Sequence, residues 1–119
     1  MERIEEARRR DTAKYKYPLS SAERYAPSNS AMDDKKLAKQ LELEGYNHTY
    51  VWQDPPNAFY PEHAHGVETA HIILSGEMTL TMNGHSEMYV PGGRCDVPAG
   101  AVHSARVGPK GCRYLIGER

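Results

Sequence analysis

The sequence predicts an all-β domain, an antiparallel sandwich or barrel, preceded by a short helical arm. Three observations predict it. From Tyr46 onward, short segments with apolar and polar residues in alternation follow one another at close spacing. Turns rich in Gly and Pro separate them: Asp54-Pro55-Pro56-Asn57, Asn83-Gly84, Pro91-Gly92-Gly93 and Pro98-Ala99-Gly100. No helical period interrupts the series, as it would in a parallel βαβ fold.

Residues 2–14 can form a charged helix, with Glu5/Arg9 and Glu6/Arg10 paired at i,i+4. It has no apolar stripe, so it stands frayed or docks on a partner. Arg8-Arg9-Arg10 sits beside glutamates and reads as a solvated helix face rather than a nucleic-acid patch. Residues 15–31 carry Pro18, Pro27 and several serines and read as an extended arm. The expected division is a polar, partly helical arm over 1–31 and a single domain over 32–119. That domain opens with a helix over 33–44, which has acidic residues in its first turn, Leu37 and Leu41 at i,i+4, and Gly45 as its stop. Strands are expected at 48–53, 58–61, 69–75, 77–82, 87–90, 94–97, 103–107 and 112–116. Asn83-Gly84 is a strong type I′ hairpin signal, because both residue types accept positive φ.

Composition narrows the partners. The chain has 119 residues, with 15 Lys+Arg against 16 Asp+Glu and a net charge of −1. That balance gives no net pull toward nucleic acid or an anionic membrane. No apolar run approaches the roughly 18 residues of a membrane span. Met1–Arg10 is highly charged with no apolar stretch after it, and Cys95 and Cys112 are too few for a disulfide scaffold. The expectation is a cytoplasmic protein with reduced thiols.

The six histidines are the unusual feature. His63-Ala64-His65 has chelate geometry, since residues i and i+2 of a strand share a face. Further ligands have to come from elsewhere, and His71 and His103 are candidates. Several imidazoles buried together are costly unless a metal or hydrogen bonds satisfy them. His48 and His85 lie at strand ends and are expected in solvent.

At these residues the sequence resembles the cupin superfamily. Its first motif, G-x5-H-x-H-x(3 or 4)-E-x6-G, is matched by His63, His65 and Gly76. Its second, G-x5-P-x-G-x2-H-x3-N, is matched by Gly92, Pro98, Gly100 and His103. The resemblance covers about residues 46–117. It implies an antiparallel double-stranded β-helix, the jelly-roll barrel, and commonly a homodimer, across which the arm could reach. Three positions depart from the pattern: Asn57 and Thr69 stand where the first motif has glycine and glutamate, and Val107 where the second has asparagine. The fourth ligand is therefore open. Either Glu68 swings in after a shortened loop, or His71, which has the inward parity of position 69, joins the site; parity favours His71. Ala70, Ile72 and Leu74 then face the opposite side. The expected set is His63, His65, His71 and His103, with Glu68 as the alternative fourth ligand.

Such a site suits Fe, Mn, Ni, Cu or Zn. The resemblance implies a spread of activities, and dioxygenase-type oxidation of a small, oxygen-rich molecule is the leading expectation. The alternatives are a cupin that senses or stores a metal or ligand without turnover, and a metal-free, epimerase-like cupin. Arg94, Asp96 and Tyr60 are polar candidates near the barrel mouth. Met78, Met82, Met88, Trp52 and Phe59 read as core or interface residues.

Overall fold

A computed structural model describes residues 33–119. The arm expected over 1–31, with its charged helix, lies outside the described residues. The first element, α1 (Asp34–Leu43), starts where the sequence indicates. Asp33 caps it, its carboxylate accepting from the N–H groups of Lys35 and Lys36 at 3.1 and 3.2 Å. Six strands follow: β1 (His48–Asp54), β2 (Phe59–His63), β3 (Thr69–Met82), β4 (His85–Tyr89), β5 (Arg94–Val97) and β6 (His103–Glu118).

All pairings among these strands are antiparallel. β6 pairs with β1, β2 and β3, while β3 also pairs with β4 and β5. Two expected breaks turn out to be bends within continuous strands. The backbone passes through Gly76 in β3 and Gly111 in β6, both at φ 80°. The ladder shifts register around Gly76, so the first part of β3 pairs with β5 and the second with β4. A Cβ on Gly76 would stand 2.0 Å from the Gly111 carbonyl oxygen, so only glycine fits at this crossing. The Asn83-Gly84 hairpin forms as expected, with φ of 57° and 75° and Met82 opposite His85.

Alternation along the strands divides the apolar residues between two faces. Inside lie Trp52, Ile73, Met78, Ala105, Val107, Cys112, Tyr114 and Ile116. Outside, Ala70, Ile72, Leu74 and Leu115 receive Leu41 of α1 together with Tyr46. This is the parity that the sequence implies for Ala70, Ile72 and Leu74. Ion pairs tie α1 to the barrel: Arg113 to Asp34, and Arg94 to Glu44 through two hydrogen bonds of 2.7 and 3.0 Å. Arg94 also bonds Asp96 at 2.7 Å. Both residues, polar candidates for the barrel mouth in the sequence, are thus committed to the outer, α1 side.

Candidate metal centre

His63 ends β2 and His103 begins β6, and the two are directly opposed in the ladder. Their rings lie 4.3 Å apart, centroid to centroid. His65, two residues beyond the strand end, brings its ring to 4.9 Å from each of the others. One potential ligand atom from each of the three lies within 4.8 Å of the other two. All three side chains are buried.

The first two rings are held alike. His63 Nδ1 lies 2.7 Å from the Pro61 carbonyl oxygen, and His103 Nδ1 lies 3.0 Å from that of Ala101. A carbonyl only accepts, so each Nδ1 donates its proton, and in the neutral ring the lone pair is then on Nε2. Histidine ligands of metals are typically set this way, with the far nitrogen bonded to a backbone carbonyl. The residues therefore fit a divalent ion.

His71 lies outside this three-residue group. It is buried on β3 between Cys95 and Ile116, with its ring 5.9 Å from that of Tyr114. It lines a cavity together with His63, His103, Ile73, Met78, Leu80, Tyr89, Cys95 and Ala105. That cavity offers about 20 Å³ to the centre of a water molecule. Glu68 is engaged elsewhere: its carboxylate accepts from Arg119 Nε at 3.0 Å, and the two backbones exchange hydrogen bonds of 3.1 and 3.2 Å. Arg119 is pushed above its usual range chiefly by that bond. His48 and His85 are exposed, as expected.

The positions that depart from the cupin motifs have clear environments. Asn57 adopts φ 62°, a left-handed conformation that is open to glycine and that asparagine tolerates. Thr69 is buried, and its hydroxyl has no hydrogen-bond partner among the described residues. Gly92 and Gly100 both take positive φ, at 93° and 82°.

Asp54 was not singled out by its sequence. Written into a turn before two prolines, it proves to be a buried acceptor for Trp52 Nε1 at 2.8 Å, Tyr60 Oη at 2.6 Å and Tyr114 Oη at 2.8 Å. Tyr60 in turn lies 6.3 Å from the His63 ring. No local signal marks this cluster, because its members meet only in the folded chain. Cys95 and Cys112 are free thiols. Burial pushes Cys112 up to about 12 and raises Cys95, while a hydrogen bond from Tyr89 pulls Cys95 the other way.

No protein-family model matches the chain, and no curated protein matches it. Solved structures do. DMSP lyase DddQ from Ruegeria pomeroyi is 32% identical at a TM-score of 0.55, covering 60% of this chain and 36% of the lyase. The Cnp3 cupin domain of Schizosaccharomyces pombe is 22% identical at 0.55, covering 59% of this chain and 50% of that one. An RmlC-like cupin from Shewanella frigidimarina is 20% identical at 0.54, covering 59% and 62%. The chain thus spans about a third of the lyase it resembles. On these likenesses the chain has the fold of the cupin superfamily.

Proposed function

We propose that the chain is a metal-dependent enzyme in which His63, His65 and His103 hold a divalent transition-metal ion and the substrate is a small, oxygen-rich molecule. The observation that carries this reading is the buried triad, with ligand atoms within 4.8 Å of one another and two tautomers set by backbone carbonyls. Three neutral imidazoles leave coordination positions open to other ligands. An ion held there would supply Lewis acidity toward a carboxylate or hydroxyl oxygen. The chain itself holds the three rings in place, and Ile73, Leu80 and Ala105 line the cavity beside His63 and His103.

Dioxygenase-type oxidation is the reaction we assign first. Its support is the adjoining cavity, which is too small for an organic substrate and of a size for a diatomic co-substrate. A second reading, elimination, is favoured by the 32% identity to a DMSP lyase. Elimination needs no oxygen, so the two separate in an anaerobic chamber. The experiment has two steps. Metal content is measured on tag-free protein; then Fe(II)-loaded protein is assayed for oxygen uptake with diketones, thiols and hydroxy acids. Substrate-dependent uptake supports oxidation. Turnover of β-substituted carboxylates that persists without oxygen supports elimination instead. Retained metal with neither activity would make the protein a ligand-holding cupin, and protein that retains no metal would overturn the reading. A homodimer belongs to the same proposal, and a solution mass of one chain would count against it.

A further inference from the structure

We propose that Asp54 is a positioning residue of the candidate metal centre, acting through Tyr60 on His63. The inference rests on the metal reading above for the ion, but the ring it concerns can be followed without metal. His63 needs support beyond its ladder. β2 is five residues long, and its pairing with β6 shifts register between Tyr60 and His63. Pro61 lies in that irregular stretch and has no N–H to give to a ladder. Yet the Pro61 carbonyl is the group that lies 2.7 Å from His63 Nδ1. Proline's fixed φ carries the placement of Tyr60 on to Pro61 with little freedom between them. Whatever anchors Tyr60 therefore helps to set the His63 ring.

Asp54 supplies the anchor. One oxygen of its buried carboxylate accepts from Trp52 Nε1 at 2.8 Å and Tyr60 Oη at 2.6 Å, and the other from Tyr114 Oη at 2.8 Å. The Tyr60 bond has the length of a charge-assisted O–H···O contact. Tyr60 is only half-buried, so packing alone does not lock its ring, and a bond at the far end of the side chain does. The ring so held lies 6.3 Å from that of His63, within the range of aromatic pairs. The same carboxylate reaches toward a second histidine, because the Tyr114 ring lies 5.9 Å from that of His71. His71 is outside the triad. The two arms of the cluster are thus a matched pair, one ending on a candidate ligand and the other not.

The test compares Tyr60→Phe with Tyr114→Phe in the full chain. Each removes one hydroxyl from the same carboxylate, so a purely structural role lowers stability in both and leaves metal binding alone. Two readouts are taken. One is Co(II) affinity, with the absorption bands of the bound ion; the other is imidazole nitrogen NMR of the metal-free protein, which reports the tautomer of each histidine. Tyr60→Phe should weaken Co(II) binding by about tenfold, the low end for groups that orient histidine ligands, and should shift the bands. Without metal, it should turn His63 from the Nδ1–H form into a mixture of tautomers while His103 keeps its own. Tyr114→Phe should keep the native affinity, bands and His63 signals. Should Tyr60→Phe fail to fold, Asp54→Asn keeps an oxygen acceptor without the charge and should change both readouts in the same direction. Native readouts in whichever of these two variants folds, or equal losses of affinity in the two phenylalanine variants, would overturn the proposal. A native protein that binds no Co(II) removes the metal reading alone, and the His63 tautomer then decides the role of Asp54.

Discussion

Gly100 donates its backbone N–H to the carbonyl of His65 at 2.9 Å, joining the two sequence motifs that supply the triad. Gly100 takes φ 82°, and a Cβ there would meet nothing within 4 Å, so its glycine serves conformation rather than space. The turn it forms leads into β6 and sets where His103 begins. His65 is past the end of β2 and has no ladder to fix it. The bond from Gly100 supplies that anchor and brings the third ring to the pair that the β2–β6 register already holds.

This geometry predicts unequal roles for the inward histidines. His63→Ala, His65→Ala and His103→Ala should each abolish stoichiometric metal retention, because two remaining imidazoles seldom bind tightly. His71→Ala should retain the metal, since His71 lies outside the triad. Metal addition at about a hundredfold excess over Kd stabilises a binding protein by roughly 2.7 kcal/mol. The thermal shift on adding metal should therefore survive in His71→Ala and vanish in the other three. Loss of the shift in His71→Ala would make His71 a fourth ligand.

Much of this was legible before folding, and the rest was hidden for identifiable reasons. Asn83-Gly84 announces its hairpin because positive φ is a local property of two residues. Ala70, Ile72 and Leu74 announce the outer face because strand parity is local too. Asn57 reads as a departure from the motif glycine, and its letter does not reveal the left-handed φ of 62° that it adopts, a conformation open to glycine and asparagine alike. Arg94 offers no hint that its partner is Glu44, since that pair forms only when α1 docks. Asp54 is the extreme case: its three donors come from β1, β2 and β6, and no spacing rule brings them together.

Thr69 stands at the motif position of a glutamate and has inward parity, which makes Thr69→Glu a gain-of-ligand test. Without metal, a carboxylate buried at this site lacks compensation and should lower stability by on the order of 3 kcal/mol. With metal, it becomes a candidate oxygen ligand. The variant should therefore gain more in melting temperature from added metal than the native protein does. Equal gains in both would show that position 69 does not reach the ion.

Gly76 is expected to be the least replaceable glycine in the barrel. Alanine there combines an unfavourable φ of 80° with a Cβ driven into the Gly111 carbonyl. Left-handed backbone costs a non-glycine residue about 1–2 kcal/mol, and overpacking typically adds about 1–3 more. Gly100→Ala meets the first cost only, so in urea titrations its midpoint should fall clearly less than that of Gly76→Ala. Similar midpoints for the two variants would mean that the β3–β6 crossing yields more readily than its close contact indicates.

Cys112 predicts a pH dependence with a definite sign. Burial pushes its thiol up to about 12 from an ordinary value of 9.0, with Asp54 and Glu77 adding to the shift. The unfolded chain releases this proton near pH 9, while the folded protein keeps it until about pH 12. Between those values the native state binds the extra proton, so stability falls as pH rises, and the contribution is fully present only below pH 9. One such group gives a slope of at most about 1.4 kcal/mol per pH unit. Cys95, Tyr46 and Tyr89 are also raised by burial and bend the curve in the same direction. The informative quantity is therefore the difference between the native protein and Cys112→Ala. Unfolding free energies from urea titrations between about pH 8 and about pH 11 should decline less steeply in the variant, whatever its absolute stability. Parallel declines would mean that the Cys112 thiol ionises inside the barrel as readily as it does in the unfolded chain.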